Sequence, residues 1–162
     1  MGDTTSGILD LYNGKTPRPT QQKFLDDTHR FCCLAGNRGS MKTTAACWRT
    51  MFLAATIPRN LGLIGRWKQT DLYSTTIRNW VDCYPRDKYG GIWEFFGGDL
   101  HPEGIRVRNA ASGSYDDGSI IFLATLQMMD KYRGGNFGFF FADQMEECHP
   151  SVWGDLVKIL RR

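Results

Sequence analysis

Lys42 and Thr43 stand side by side at the end of the loop Gly36-Asn37-Arg38-Gly39-Ser40-Met41, which follows the apolar run Phe31-Cys32-Cys33-Leu34-Ala35. A glycine-containing loop that delivers a Lys-Thr pair to a helix start has the layout of a phosphate-binding loop, G-x-x-x-x-G-K-[ST]. One position departs from that pattern: Met41 stands where the second glycine belongs. The ligand of such a loop is a nucleoside triphosphate. Its dense negative charge is met by backbone N–H groups and a helix N-terminus, without reliance on mobile side chains. Lys42 would contact the β- and γ-phosphates, and the Thr43 hydroxyl would ligate Mg²⁺. Gly36, Asn37, Arg38, Gly39, Ser40, Met41 and Thr44 would complete the cradle. A positive φ at Met41 would strain it, because that conformation suits glycine. Arg38 is close enough in sequence to stabilise charge developing on a γ-phosphate, or else to be a solvated loop residue. The plain alternative for the whole stretch is a strand–turn–helix corner with a chance Lys-Thr.

A second carrier of chemistry is Phe139-Phe140-Phe141-Ala142-Asp143. An apolar strand ending in Asp holds the magnesium-water shell at the carboxyl end of a sheet, beside the phosphate loop. The residue after that Asp is usually a carboxylate that orients or deprotonates the attacking water. Here it is Gln144, whose amide can hydrogen-bond water but cannot accept its proton. Glu146 and Glu147 follow closely, and either can substitute if the backbone turns suitably. The catalytic candidates are Arg38, Gln144 and Glu146; the metal candidates are Thr43 and Asp143. The bland reading of this segment is an apolar edge strand with an acidic surface turn. Upstream, Gln21 or Gln22 can read an adenine edge, since an amide both donates and accepts. The alternative there is a plain helix start with Thr20 as N-cap. Arg66, Lys68, Arg78, Arg106 and Arg108 either line a DNA path or form a solvated basic face.

These side chains need elements to position them. The spacing of Ala46, Cys47, Met51, Phe52 and Ala55 predicts a helix over 43–55 that stops before Pro58. A short helix is expected over 21–28 and another over 70–83. Strands are expected over 30–35, 61–65, 105–109, 119–124 and 137–142, with 84–104 read as loop. The segment 126–132 reads as a short helix, and 152–160 as a final helix with cations at its end. Strands alternating with helices give an α/β class, with a mostly parallel sheet flanked by helices on both faces. Two segments are expected: a flexible N-terminal stretch over 1–16 and one domain over 17–162. An apolar fraction of 41% in 162 residues is enough for a real core and excludes wholesale disorder. A net charge of +3 permits contact with nucleic acid without demanding it. Five cysteines, an odd number with no C-x-x-C pair, read as free thiols in a reducing compartment. No apolar run is long enough to span a bilayer.

Taken together and in this order, these pieces resemble the N-terminal ATPase domain of the large terminase subunit, the DNA-packaging motor of tailed phages. The resemblance rests on Gln21-x-x-Phe24-Leu25, on Asn37 to Thr43, on Gly118-Ser119-Ile120-Ile121-Phe122, on Tyr132-Arg133-Gly134-Gly135 and on Phe139 to Glu147. It implies an additional-strand (ASCE, RecA-like) P-loop ATPase fold. It further implies ATP and Mg²⁺ as ligands, with Gln21 or Gln22 near adenine, Lys42 and Thr43 on phosphate and Mg²⁺, and Asp143 on Mg²⁺. The implied partners are double-stranded DNA, a portal protein, a small terminase subunit and further copies in a ring. The implied location is the host cytoplasm, at the procapsid portal. Such subunits continue with a coupling strand and a nuclease domain, so the ATPase domain is expected to be incomplete here, with an unpaired sheet edge. Gln144 in place of the family's catalytic Glu puts turnover in question more than binding. The alternatives are a P-loop module that binds nucleotide without turnover, and another P-loop nucleic-acid-dependent ATPase such as a helicase.

Overall fold

The computed structural model describes residues 10–37, 39–98 and 100–160. A five-stranded sheet runs through the middle in the order β2-β3-β4-β1-β5, where β1 is Leu61–Arg66, β2 Trp93–Phe96, β3 Gly104–Val107, β4 Ser119–Thr125 and β5 Phe139–Ala142. Helices α1 (Pro19–Asp26), α2 (Lys42–Thr56), α3 (Gln69–Asp71), α4 (Arg78–Cys83), α5 (Arg86–Tyr89) and α6 (Ser151–Ile159) surround it. Successive strand residues face opposite sides of a sheet, and both sides here are apolar. Ile64, Ile121 and Leu123 pack with Trp48, Met51 and Trp80 from α2 and α4. Leu63 and Ala124 pack with Val152, Leu156 and Ile159 from α6, and with Leu126 and Met129 from a 3₁₀ segment, Leu126–Tyr132.

The sheet is evenly mixed, which corrects the expectation of a mostly parallel one. β1 pairs parallel with β4 and β5, while β3 pairs antiparallel with β2 and β4. Short connections join antiparallel strands, and parallel ones need a crossover. The β2–β3 and β3–β4 connections are short, so that half of the sheet is a meander. β2 and α5 lie within 84–104, the stretch expected as loop. Their aromatic residues are core: Trp93 is buried against Trp80 and donates its indole N–H to the Tyr84 carbonyl at 3.1 Å.

Two further elements differ from expectation. Phe31–Ala35 forms no strand. An apolar run becomes a strand only beside a partner, and on the outer side of the sheet the described residues show only an isolated parallel bridge between Phe137, which precedes β5, and Leu160. The helix expected over 70–83 is interrupted by a π-helical stretch, Leu72–Ile77. Residues 10–15, expected as part of a flexible segment, are tied down: Tyr12 lies edge-on to Trp48 at 5.0 Å, and the Tyr89 hydroxyl donates to the Asp10 carbonyl at 2.7 Å. Helix α1 begins with Pro19 in its first turn, so Thr20 is inside the helix and does not cap it.

Candidate functional site

Asp143 and Thr43 meet at the carboxyl end of the sheet. The parallel register of β1 and β5 ends with Gly65 opposite Ala142, and the Asp143 N–H donates to the Gly65 carbonyl at 2.9 Å, which fixes the Asp143 backbone. The close approach of the two strands depends on Gly62: a Cβ there would sit 2.2 Å from the Phe139 ring. On the other side, α2 starts at Lys42 and buries Ala45, Trp48 and Met51 against the sheet. The two elements bring the Thr43 hydroxyl to Asp143 Oδ1, as a donor at 3.3 Å across 100 residues of sequence. Asp143 is buried, and its Oδ2 accepts a second hydroxyl, Thr76 Oγ1, at 2.6 Å. Thr76 comes from the π-helical stretch, a deviation that often re-aims side chains at functional sites.

Arg66 ends β1 beside Asp143. It is buried, 8% exposed, which overturns its reading as part of a DNA path or a solvated basic face. A buried guanidinium needs acidic and polar partners, and this one has them. Nη1 donates to the Thr75 hydroxyl and lies 3.7 Å from Asp143 Oδ2. Nη2 donates to Gln144 Oε1 at 3.1 Å and to Glu147 Oε1 at 3.5 Å. Gln144 adopts a left-handed conformation (φ 56°, ψ 54°) and opens the 3₁₀ turn Met145–Glu147. Glu146, the carboxylate favoured from sequence, is exposed and takes no part in these contacts.

The loop side is looser. Gly36, Asn37 and Gly39 are exposed, and Ser40 closes a turn by donating its N–H to the Asn37 carbonyl at 3.2 Å. Lys42 folds over its own loop: Nζ donates to the carbonyls of Gly36 (2.5 Å) and Asn37 (3.2 Å) and reaches Ser40 Oγ at 3.5 Å. These carbonyls occupy the ammonium where a phosphate would. Met41 has φ 59° and ψ 34°, the strained left-handed state anticipated for it. Its carbonyl accepts the Ala45 N–H at 3.1 Å and the Gln21 side-chain amide at 3.2 Å. Gln21 is buried, and its Oε1 accepts the Arg18 N–H at 2.8 Å. Its amide therefore clamps α1 to the loop end, and in this arrangement neither end is turned to an adenine. Gln22 donates to Asp26 Oδ1 at 2.8 Å. Thr44 is buried in the first turn of α2. Arg38 lies outside the described residues.

A hydroxyl and a carboxylate oxygen 3.3 Å apart are hard donors of the kind Mg²⁺ takes, and Mg²⁺ keeps waters and phosphate oxygens for the rest of its octahedron. The donor set fits a hard divalent cation such as Mg²⁺, which Thr43 and Asp143 would hold. Two surface cavities lie elsewhere. One of about 280 Å³ is lined by Arg59, Arg106 and Tyr115, and one of about 490 Å³ by Tyr73, Phe122 and Tyr132; neither includes Lys42, Thr43 or Asp143. Sequence reasoning missed Thr75, Thr76 and the site role of Arg66. The position of Arg66 at the C-terminal end of a predicted strand was the available signal, since open α/β sheets gather ligands there. The two threonines gave none, because only the π-helical stretch brings Thr75 to Arg66 and buries Thr76 against Asp143.

No protein-family model matches the sequence, and no curated protein matches it. Among solved structures, the chain is similar to the ATPase domain of the large terminase of Thermus phage P74-26. The TM-score is 0.66 and the identity 16%, with 98% of this chain and 64% of that chain covered. The chain therefore spans less than two thirds of the length of that structure. At this identity the likeness is one of fold: this chain has the mixed α/β fold of a phage large terminase ATPase domain.

Proposed function

We propose that this chain binds Mg²⁺-ATP and hydrolyses it as the ATPase module of a phage terminase large subunit, with the P-loop, additional-strand architecture of that class. One observation carries the reading. The Lys-Thr pair opening α2 is brought by the fold against the Asp closing β5, with Thr43 Oγ1 and Asp143 Oδ1 at 3.3 Å. Lys42 would exchange loop carbonyls for phosphate oxygens, Thr43 and Asp143 would hold Mg²⁺, and Arg38, by its place in the loop sequence, is the candidate to stabilise charge developing on the γ-phosphate. Bound Mg²⁺ neutralises charge on the β- and γ-phosphate oxygens. In the whole protein, turnover drives double-stranded DNA into a capsid, with a ring of copies, a portal protein and a small terminase subunit as partners in the host cytoplasm. No helix among the described residues is long and apolar enough to cross a membrane.

Calorimetric titration of ATP with and without Mg²⁺, with phosphate release followed on the same sample, tests this. Mg²⁺-dependent binding that Lys42→Ala weakens by about 100-fold supports it; equal affinity in that variant overturns the loop assignment. A second reading, binding without turnover, is favoured by Gln144 alone. No gain in rate on Gln144→Glu is its signature, whereas a large gain marks a motor disabled at that position.

A further inference from the structure

We infer that Glu147, not Glu146, is the carboxylate that takes the proton of the attacking water, while Gln144 orients that water and Arg66 holds the two side chains as one unit. This rests on the nucleotide reading above. The residue after Asp143 cannot serve as a base, since an amide has no basic oxygen to protonate at neutral pH. The backbone compensates. Gln144 sits in the left-handed region, and the chain then makes a 3₁₀ turn over Met145–Glu147. In such a turn residues three apart eclipse one another, so residue 147, and not 146, returns to the side of residue 144. The consequence is visible in the contacts: Gln144 Oε1 and Glu147 Oε1 both accept from the same atom, Arg66 Nη2, at 3.1 and 3.5 Å. A left-handed non-glycine residue is costly, and such strain gathers where a site needs it. Arg66 also stands 3.7 Å from Asp143 Oδ2, which joins the pair to the metal-binding carboxylate.

An O–H bond of water breaks and its proton passes to a Glu147 carboxylate oxygen. The water oxygen bonds to the γ-phosphorus. The bond from that phosphorus to the β–γ bridging oxygen breaks, and its electron pair leaves with ADP. The Glu147 side chain is 35% exposed, so its proton can then pass to solvent.

Glu147→Gln is close to isosteric and its amide oxygen can still accept from Arg66, so the variant should fold, as thermal melting would show. Three quantities are measured in the full chain with Mg²⁺: the affinity for a non-hydrolysable ATP analogue (imidodiphosphate), the affinity for ADP with aluminium fluoride, and phosphate release. Glu147→Gln is expected to keep analogue affinity within about threefold, to weaken ADP–aluminium fluoride binding by about tenfold or more, and to lower turnover by at least about 100-fold, the scale of general-base loss. Glu146→Gln should change none of them. Wild-type turnover in Glu147→Gln, or loss on Glu146→Gln, overturns the assignment. A wild-type chain that binds the analogue but neither hydrolyses ATP nor prefers ADP–aluminium fluoride overturns it and leaves the nucleotide reading standing. A wild-type chain that binds no nucleotide overturns both.

Discussion

The two halves of the candidate site are held in different ways. The sheet half consists of Arg66 at the end of β1 and Asp143 at the end of β5. Arg66 is paired to β4 and the Asp143 N–H to the Gly65 carbonyl, both side chains are buried, and hydroxyls from Thr43, Thr75 and Thr76 bond to them, with only the Arg66 Nε left unpaired among their polar atoms. The loop half, from Phe31 to Lys42, has among the described residues no strand behind it and exposed residues at Gly36, Asn37 and Gly39, and the Lys42 ammonium is bonded to the loop's own carbonyls. A polar cluster on paired strands stands ready before any ligand arrives. A loop that satisfies itself must exchange partners to bind, and affinity is reduced by whatever that exchange costs. Stability should therefore depend on the sheet half and nucleotide affinity on the loop half.

The largest effect expected from this contrast is on Arg66→Ala. The change removes the donor shared by Thr75, Gln144 and Glu147 and leaves the Asp143 carboxylate buried without its cation. Breaking a buried pair by removing one partner costs about 3 kcal/mol. For a chain of this size that lowers the melting temperature by roughly 6–12 °C. An unchanged melting temperature would mean that the sheet half is held by its backbone alone.

Lys42→Ala comes next and should act in the opposite place. Its hydrogen bonds are to exposed loop carbonyls that water can satisfy, so stability should change by less than about 0.5 kcal/mol. Nucleotide affinity should fall by about 100-fold, the value of a charge-assisted contact to phosphate. Paired melting and calorimetric titrations check both. A variant that loses stability as much as affinity would show that the loop is a structural part of the fold, and the contrast between the halves would fail.

The same contrast separates what the sequence disclosed from what it did not. Helix α2, strand β1, strands β3 and β4, β5 and α6 were legible because each carries a local signal, such as the helical spacing from Ala46 to Ala55 with Pro58 beyond its end, and short apolar runs for the strands. So was the pairing of Thr43 with Asp143, through the order of two motifs. What failed was non-local. Phe31–Ala35 has the composition of a strand, but no neighbour pairs with it. Trp93–Phe96 has a strand neighbour, yet its surroundings of Gly and aromatic residues read as loop. Arg66 reads as a surface cation until the fold sets it between Asp143 and Glu147. The choice of Glu147 over Glu146 depends on the left-handed turn at Gln144, which no spacing rule anticipates.

Met41→Gly gives the smallest effect and probes the loop half most closely. Met41 caps α2 with φ 59°, and its carbonyl is held by the Ala45 N–H and by Gln21. The left-handed conformation costs a non-glycine residue about 1–2 kcal/mol. Glycine removes that strain but frees the unfolded chain by about 0.5–1 kcal/mol. The net expectation is a gain of about 0.5 kcal/mol, which raises the melting temperature by roughly 1–2 °C. Because two hydrogen bonds fix the Met41 carbonyl whichever side chain is present, nucleotide affinity should stay within about twofold. A lower melting temperature would show that packing of the half-buried Met41 side chain outweighs its backbone strain, so that this end of the loop is anchored as firmly as the strands. A marked loss of affinity at unchanged stability would show instead that Met41 stiffens the loop for its ligand, and that its strain belongs to binding, not to the fold.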